Sequence, residues 1–241
     1  MSPSFGRPHH HFEEIDSTNE RAREMAVEGA ASGTVVTASS QTAGRGRGGR
    51  RWSAPADQAL LYSAILAPLS LRHLLLPLAV PLAVCEACEE LAPVRCQVKW
   101  PNDIWLDEHK LAGILIEARP PEWAVIGVGV NVSIDDEEFP GDLRWPAVSL
   151  GHGATPQALR RKLDKALGRW VEAPEQKVLD EFRRRDALAG RPISWEGGPD
   201  GGSFDRRGTA DGIDERGNLI VRADDGETLS LGSGEVHLRL L

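Results

Sequence analysis

The sequence has few of the residues on which disulfide-rich and redox proteins depend. Its 241 residues include 3 Cys, 2 Met and 1 Tyr, and aromatic residues make up 5%. Cys85, Cys88 and Cys96 cannot all pair with one another, and no histidine cluster lies at zinc-finger spacing from them. The Cys-x-x-Cys spacing of Cys85 and Cys88 falls in an apolar stretch rather than at a strand-to-helix turn. We therefore expect packed thiols rather than a redox pair.

Long apolar runs are also absent. The longest, Leu74 to Cys85, is about half of what a bilayer crossing needs, and it contains Pro77 and Pro81. The N-terminus has no apolar run followed by a small-residue cleavage site, as a secretory signal would. We expect the run to be buried core, the protein to be cytoplasmic and the membrane not to be a partner.

An excess of basic residues is the third absence. The net charge is −8, which excludes a protein whose whole surface binds nucleic acid, so any site for a polyanion must be local. Apolar residues make up 41% and charged residues 27%, as in ordinary soluble globular domains.

Hydrophobic spacing predicts a mixed α+β domain in the first 190 residues. Phe12 begins a short extended segment, and Ser17 and Glu20 have the spacing of a capping box that begins a helix over 19–28. Further strands are predicted at 33–38, 60–66, 96–100, 104–106, 113–118 and 124–132, and further helices at 74–92, 156–171 and 174–188.

The hydrophobic pattern of the sequence changes near Gly190. Short alternating segments at 207–213, 218–222, 228–231 and 235–239 are separated by Gly-rich or Asp-Gly turns, which predicts a small all-β barrel. We therefore divide the chain into a catalytic domain at 1–190 and a barrel domain at 191–241.

A loop of glycines and arginines at 39–53, here called the Arg/Gly loop, is the most charged loop of the chain. Arg45, Arg47, Arg50 and Arg51 fall within seven residues with no acid between them. The interspersed glycines let backbone N–H groups approach an anion, and guanidinium groups bind carboxylate or phosphate bidentately. The loop predicts a local anion site.

Other interpretations of this loop stay open from its residues alone. The run Gly44-Arg-Gly-Arg-Gly-Gly49 satisfies G-x-G-x-x-G, but no helix follows, which disfavours a dinucleotide-binding turn. A Walker A loop is excluded because Gly-Lys-Ser/Thr is missing. An RNA-binding segment in which Trp52 stacks on a base, or a merely solvated basic loop, is compatible with the same residues.

A second group of polar residues interrupts the apolar strands between 98 and 131. Lys99, Lys110 and Glu117 lie at strand ends, where a charge is either exposed or directed at a ligand. Gly127 and Gly129 mark either close packing or the approach of a ligand to a strand. No single one of these residues shows whether the region binds a ligand.

Five segments in order resemble the biotin–protein ligase family, and the resemblance covers the chain from about Phe12 to Leu241. They are Ile15-Asp-Ser-Thr-Asn19, Gln41-Thr-Ala-Gly-Arg-Gly-Arg47 with Trp52, Lys99-Trp-Pro-Asn-Asp103, Lys110-Leu-Ala-Gly-Ile-Leu-Ile-Glu117 and Gly127-Val-Gly-Val-Asn131. The C-terminal Gly212-Ile-Asp-x-x-Gly217 and Ser233-Gly-Glu-Val236 look like that family's SH3-like barrel. The resemblance implies a catalytic domain of the biotin/lipoate ligase, class II synthetase-like type.

The resemblance also implies an activity and its residues. Biotin would react with ATP to give biotinyl-5′-AMP, and biotin would then pass to a lysine of a biotin carboxyl carrier domain, with Arg45 and Lys110 as the catalytic cations. Biotin contacts are implied for Ser17, Thr18, Asn19, Gln41, Gly44, Arg45, Gly46, Arg47, Lys110, Gly113 and Ile114. ATP contacts are implied for Arg45, Arg47, Arg50, Trp52, Lys99, Asn102, Lys110 and Asn131, and a Mg²⁺ ligand for Asp103.

The first motif begins close to the N-terminus, which predicts a ligase without the helix-turn-helix domain that bifunctional members use to bind operator DNA. We therefore expect no sequence-specific DNA partner. The sequence leaves a monomer and a homodimer open, and it does not identify the acceptor protein.

Overall fold

The computed structural model describes residues 4–141, 143, 145–197, 206–233 and 236–240. A seven-stranded sheet holds the first part of the chain, in the order β1-β2-β3-β7-β6-β5-β4. Its β1 and β2 are parallel and its other pairs antiparallel. The strands are β1 (His9–Ile15), β2 (Val35–Gln41), β3 (Ala59–Leu66), β4 (Gln97–Lys99), β5 (Asp103–Leu106), β6 (His109–Arg119) and β7 (Trp123–Asn131).

Four α-helices accompany this sheet. They are α1 (Thr18–Val27), α2 (Leu76–Glu89), α3 (Pro156–Trp170) and α4 (Glu175–Arg185). Helix α2 carries buried residues on all sides because α3 and α4 pack on it from one side and the sheet lies on the other. Among the described residues, no helix combines the length and the apolarity that crossing a membrane requires.

A second, five-stranded antiparallel sheet follows Gly190 in the order β11-β10-β9-β8-β12. Its strands are β8 (Pro192–Gly197), β9 (Arg206–Ile213), β10 (Leu219–Ala223), β11 (Thr228–Leu231) and β12 (Val236–Leu240). Residues 234 and 235 of the last sequence motif lie outside the described residues. The last strand of the first sheet, β7, ends at Asn131 and the second sheet begins at Pro192, while the division into two domains at Gly190 stays a prediction.

Side chains alternate between the two faces of the large sheet. On β7, Ile126, Val128 and Val130 belong to the main core beneath α2 and α3, whereas Val125 packs with α1 on the other face. Gly127 and Gly129 lie on the same face as Val125, because successive strand residues point to opposite sides. That face is left open next to α1, where two of its residues lack side chains.

The sequence predictions of the fold are confirmed in class and in most elements, with one strand to add and one to extend. Strand β8 was not predicted, and β1 begins three residues before the extended segment expected from Phe12. Strand β2 continues through polar Ser39 and Ser40 to Gln41 because β1 pairs with it along this stretch. All three cysteines are free and buried, as expected for packed thiols.

The capping box predicted at the start of α1 is wrong, although the helix begins where expected. Ser17 is the residue before the helix, but its side chain makes no capping hydrogen bond. Glu20 pairs instead with Arg23 and Arg45, and charged partners bind a carboxylate more strongly than a backbone N–H does. Gln41 satisfies the helix end in place of Ser17, since its Oε1 accepts from Thr18 N at 2.7 Å.

Candidate active site

A cavity of about 560 Å³ lies on the open face of the large sheet. The start of α1, the Arg/Gly loop and the described residues Phe139, Pro140, Leu143, Trp145 and Ala147 form its walls, and β3, β7 and β6 form its floor. This arrangement brings together residues that are far apart in the sequence.

Two rows of neighbouring strand residues make the floor. One row is Ser63, Gly127 and Leu115, and the next is Leu61, Gly129 and Gly113. A Cβ at 127 would overlap the amide of Asn19, which rests on that row. A Cβ at 129 would lie 2.5 Å from Cε2 of Trp52, whose indole covers the second row. The glycines are therefore required for α1 and the loop to approach the sheet.

The start of α1 supplies a buried polar wall of Ser17, Thr18 and Asn19. The Thr18 hydroxyl donates to Gln41 Oε1 at 3.1 Å, and Ser63 Oγ lies 2.9 Å from Thr18 Oγ1. Asn19 Nδ2 donates to Glu117 Oε2 at 3.0 Å. The floor under α1 can therefore form directed hydrogen bonds with a small polar ligand.

The Arg/Gly loop forms a narrow turn in which Arg45 and Arg51 pair as an isolated antiparallel bridge. Gly48 and Gly49 turn the chain with φ of +62° and +73°, a region that favours glycine. Arg45 forms ion pairs with Glu20 at 3.0 Å and Glu117 at 3.2 Å. The loop is thereby fastened to α1 and β6, with its guanidinium at the cavity.

Arg47 connects the loop to two distant segments of the chain. It donates to Asn102 Oδ1 at 3.4 Å and to the backbone oxygen of Ser233, in the turn after β11. Desolvation and then the charge of Arg50 lower the pKa of Arg47 below its ordinary value, although guanidinium remains protonated at neutral pH. Arg50, Arg51 and Ser53 also line the cavity. The positive charge of the loop is therefore concentrated on one wall.

Lys110 provides a cation from the opposite direction. Its Nζ lies 2.8 Å from Asp103 Oδ1 and 5.8 Å from the ring centre of Trp52. Asn102 Nδ2 donates to the same Asp103 oxygen at 3.2 Å, and Asn131 Nδ2 donates to the backbone oxygen of Lys110 at 3.3 Å. Contacts on both the side chain and the backbone thus hold Lys110 at the cavity.

Most of the predicted site residues line this one cavity. Those that do are Ser17, Thr18, Asn19, Gln41, Arg45, Gly46, Arg47, Arg50, Trp52, Asn102, Lys110, Gly113, Ile114 and Asn131. Ile114 borders the cavity, but its side chain belongs to the main core.

Three predicted residues lie outside the cavity lining. Gly44 packs its backbone against the backbone oxygen of Trp52. Lys99 is buried, with its Nζ 5.6 Å and 5.1 Å from the ring centres of Trp105 and Trp145. Asp103 contacts Lys110 from behind the lining. Gly44 and Lys99 therefore lie apart from the cavity surface, whereas Asp103 reaches the site through Lys110.

The apolar residues that follow the acidic run at 135–138 form a wall that the sequence did not predict. The acidic residues are exposed, but Ile134 and Phe139 pack in a cluster with Trp52 and Leu61. Phe139, Leu143 and Trp145 line the cavity. Apolar residues beside an acidic run were the available signal. Sequence spacing alone could not place them over β6 and β7.

The family-model comparison decides the membership of the chain. Residues 11–131 match the biotin/lipoate A/B protein ligase family, and residues 190–239 match the biotin protein ligase C-terminal domain. The chain belongs to the biotin/lipoate A/B protein ligase family. The biotin–protein ligase resemblance drawn from the ordered motifs is thereby confirmed.

Individual relatives agree with the family. The chain is 35% identical to the biotin–[acetyl-CoA-carboxylase] ligase of Mycobacterium tuberculosis, over 92% of this chain and 86% of that protein. It is 34% identical to the bifunctional ligase/repressor BirA of Bacillus subtilis, over 88% of this chain and 68% of that protein. The biotin protein ligase of Aquifex aeolicus, solved with biotin and ATP, has a TM-score of 0.80 at 26% identity and covers 97% of this chain and 99% of its own.

Proposed function

We propose that this family member activates biotin with ATP and then transfers biotin to a lysine of the biotin carboxyl carrier domain of a carboxylase. One observation carries the proposal: Arg45 and Lys110 reach the same cavity as the buried polar wall at the start of α1. Such a cavity can hold an apolar ring with polar edges at one end and two reacting anions at the other.

In the first step, a biotin carboxylate oxygen forms a bond to the α-phosphorus of ATP while the bond to pyrophosphate breaks. Two anions must approach each other, and their repulsion opposes the reaction unless cations lie close by. Arg45 and Lys110 supply that positive charge. Because side-chain partners already hold both cations, little reorganisation is needed as charge develops on the phosphate oxygens.

In the second step, the neutral amine of the acceptor lysine attacks the carbonyl carbon of the mixed anhydride. The bond between the carbonyl carbon and the phosphate oxygen of AMP breaks, AMP leaves with the electron pair, and the amine nitrogen loses a proton. Positioning carries this step, since AMP is a good leaving group and no protein nucleophile is required. Trp52 and Asn131 are the residues proposed to lie near the adenine.

We include Mg²⁺ in the proposal as an ion that arrives with ATP. Among the described residues, no group of three or more His, Cys, Asp or Glu could hold a metal ion. Mg²⁺ commonly uses one or two carboxylates with substrate phosphates and water, and Asp103 beside Lys110 fits that role. When bound, the ion would neutralise part of the triphosphate charge.

Pyrophosphate release with biotin and with lipoate, measured separately, tests the proposed function. We expect release with biotin and ATP, followed by labelling of a carrier domain that streptavidin detects. Release with lipoate alone would assign the chain to lipoate ligation. Salt-dependent binding to polynucleotides without any ATP turnover would instead support the RNA-binding alternative.

Other parts of the sequence interpretation stay predictions. They are the cytoplasmic location, the monomer or homodimer state and the absence of sequence-specific DNA binding. Light scattering on the purified chain would measure the oligomeric state. Titration with a duplex from the organism's own biotin operon, in the presence of biotinyl-adenylate, would test DNA binding.

A further inference from the structure

Glu117 contacts both halves of the site, yet no step of the proposed reaction uses it. It lies on β6 two residues after Leu115, on the cavity side of the sheet, and its side chain is 25% exposed. One carboxylate oxygen accepts from Asn19 Nδ2 at 3.0 Å, and the other lies 3.2 Å from Arg45 Nη2. Glu117 thus joins the start of α1 to the Arg/Gly loop.

A buried chain of hydrogen bonds continues from Asn19 toward the cavity. The Ser63 hydroxyl donates to Asn19 Oδ1 at 2.6 Å and lies 2.9 Å from Thr18 Oγ1. Ser63 is 0% exposed, Thr18 4% and Asn19 5%. Water cannot readily substitute for a lost partner in this chain, so the direction of each bond matters.

Glu117 is the nearer of two acceptors that set this direction; the other is the Leu115 backbone oxygen, 3.4 Å from Asn19 Nδ2. A carboxylate and a carbonyl offer only acceptors, so the Asn19 amide presents its nitrogen to β6 and its oxygen to Ser63. Ser63 has one proton for two acceptors, Asn19 Oδ1 at 2.6 Å and Thr18 Oγ1 at 2.9 Å, and the shorter contact gives that proton to Asn19, while Gln41 takes the Thr18 proton. Thr18 Oγ1 is left as an acceptor at the cavity wall, which suits a ligand that presents N–H groups.

Arg45 depends on the same carboxylate. Glu20 on α1 and Glu117 on β6 both pair with the Arg45 guanidinium. Loss of either carboxylate therefore removes one of the two ion pairs that hold Arg45 in place. A guanidinium positioned by two carboxylates is ready to meet a phosphate without a search through side-chain rotamers.

We propose that Glu117 is a positioning and specificity-determining residue for biotin, setting Thr18 as an acceptor for a ureido N–H and holding Arg45 for the adenylate. This inference rests on the proposed function. It assigns two separable effects to one side chain, one on biotin affinity and one on retention of the intermediate.

The test compares Glu117→Gln with wild type. A glutamine amide can donate to Asn19, so the Asn19 amide can reverse and the Ser63 proton can turn to Thr18 Oγ1. We expect the KM for biotin to rise about tenfold, the loss expected for a weakened polar contact, while the KM for ATP stays within about twofold. Biotinyl-adenylate should also dissociate faster, because Arg45 loses one carboxylate.

Two further variants separate the two effects. Ser63→Ala removes the proton that would occupy Thr18, so Glu117→Gln/Ser63→Ala should recover a biotin KM within about threefold of wild type. The double variant should keep the faster dissociation of the adenylate. Glu20→Gln removes the other partner of Arg45 and should speed dissociation without raising the biotin KM.

Glu122→Gln is the matched control, because Glu122 lies in the β6–β7 turn and pairs with exposed Arg119. It should behave as wild type. Glu117→Gln kinetics equal to the control, or a double variant with a biotin KM as high as the single one, would overturn the inference. If Glu117→Gln does not fold, Glu117→Asp and Glu117→Ala replace it, and equal biotin KM values for these two would contradict the proposal.

The same assays keep this inference apart from the proposed function. If wild type releases pyrophosphate with lipoate alone, the proposed function fails. If wild type is active with biotin but Glu117→Gln matches the control, the inference about Glu117 fails by itself.

Discussion

Lys110 has neighbours of two kinds, an acid that pairs with its charge and an indole that covers it from the cavity side. Asp103 lies 2.8 Å away and the centre of the Trp52 ring 5.8 Å away. An incoming phosphate can share the ammonium with Asp103, since an ammonium carries three donors. We therefore expect Lys110 to act on the adenylation step and to contribute little to the affinity for biotin.

Replacement of Lys110 by Ala should chiefly slow adenylation. We expect pyrophosphate release to fall about 100- to 1000-fold, as when one preorganised charge donor is removed, with a small change in biotin affinity by calorimetry. Lys165→Ala, on the exposed side of α3, is the control. Wild-type rates in the Lys110 variant would remove it from the catalytic residues.

Replacement of Arg45 by Ala should weaken retention of the adenylate more than binding of biotin, because its charge matters most once the phosphate is present. Dissociation of labelled biotinyl-adenylate and calorimetry with biotin measure the two quantities. Arg21→Ala, which breaks an exposed pair with Glu24, should change neither. Equal losses in both quantities would show that Arg45 is placed incorrectly in the proposal.

His9 on β1 gives the stability a pH dependence. Desolvation of its ring, and then the charge of Arg160, lower the pKa of His9 to about 4, and its Nε2 lies 2.8 Å from Thr37 Oγ1. The unfolded chain binds a proton near pH 6.5 while the folded chain does not. Stability from this group is therefore present above pH 6.5 and is lost as pH falls toward 4.

The His9→Gln variant should consequently lose less thermal stability than wild type between pH 7.5 and pH 5. We expect a difference in unfolding midpoint on the order of 1–3 °C. His152→Gln, at an exposed position, serves as the control. The same pH dependence in wild type and His9→Gln would contradict the assignment.

At the scale of elements, β6 and β7 position the site through residues that lack side chains. Gly113 and Gly129 lie opposite each other, and the Trp52 indole rests on both. The sequence indicated that glycines in a strand mark a close approach. It did not show that the approaching group is Trp52 from the Arg/Gly loop.

Gly129→Ala should displace the indole, because its Cβ would lie 2.5 Å from Trp52 Cε2. If Trp52 lies near the adenine, the KM for ATP should rise about tenfold while the KM for biotin changes less. Trp fluorescence should report the displacement. Gly153→Ala, whose Cβ would meet nothing within 4 Å, is the control, and an unchanged KM for ATP in Gly129→Ala would contradict the prediction.

Helices and strands could be predicted from the sequence where apolar residues recur on one face of the element. Helix α3 buries Leu159, Leu163, Ala166 and Leu167 at helical spacing, and the sequence marked it within one residue at its C-terminal end. Strand β8 was missed although Ile193 and Trp195 are buried, because Gly190, Pro192 and Gly197 around them are the residues that indicate a turn.

At the scale of the whole molecule, polar contacts join turns of the C-terminal sheet to loops of the first part of the chain. Trp100 Nε1 donates to Gly217 O at 3.0 Å, in the turn between β9 and β10, and Arg47 donates to Ser233 O, in the turn after β11. These turns therefore contact both the Lys-Trp-Pro-Asn-Asp segment and the Arg/Gly loop. Loss of either contact should therefore lower the stability of the chain on both sides of Gly190.

Trp100→Phe should destabilise the chain by about 1–3 kcal/mol, because it leaves the Gly217 oxygen without its donor. For a chain of this size, the unfolding midpoint falls about 2–4 °C per kcal/mol. Trp123→Phe is the matched control, since Trp123 is buried but its Nε1 has no hydrogen-bond partner in the described structure. Equal shifts in the two variants would show that the contact contributes nothing.

The sequence by itself determined the class of the fold and the family, because these depend on local spacing and on residue types in order. Arg45 and Lys110 could be named as candidate cations from motifs alone. Only the tertiary structure decided which residues share a surface: it placed Phe139 and Trp145 on the cavity, moved Lys99 and Gly44 behind it, and gave Glu117 its two partners. Those contacts join segments about 100 residues apart, and pairing across strands, rather than local pattern, fixes which of them meet.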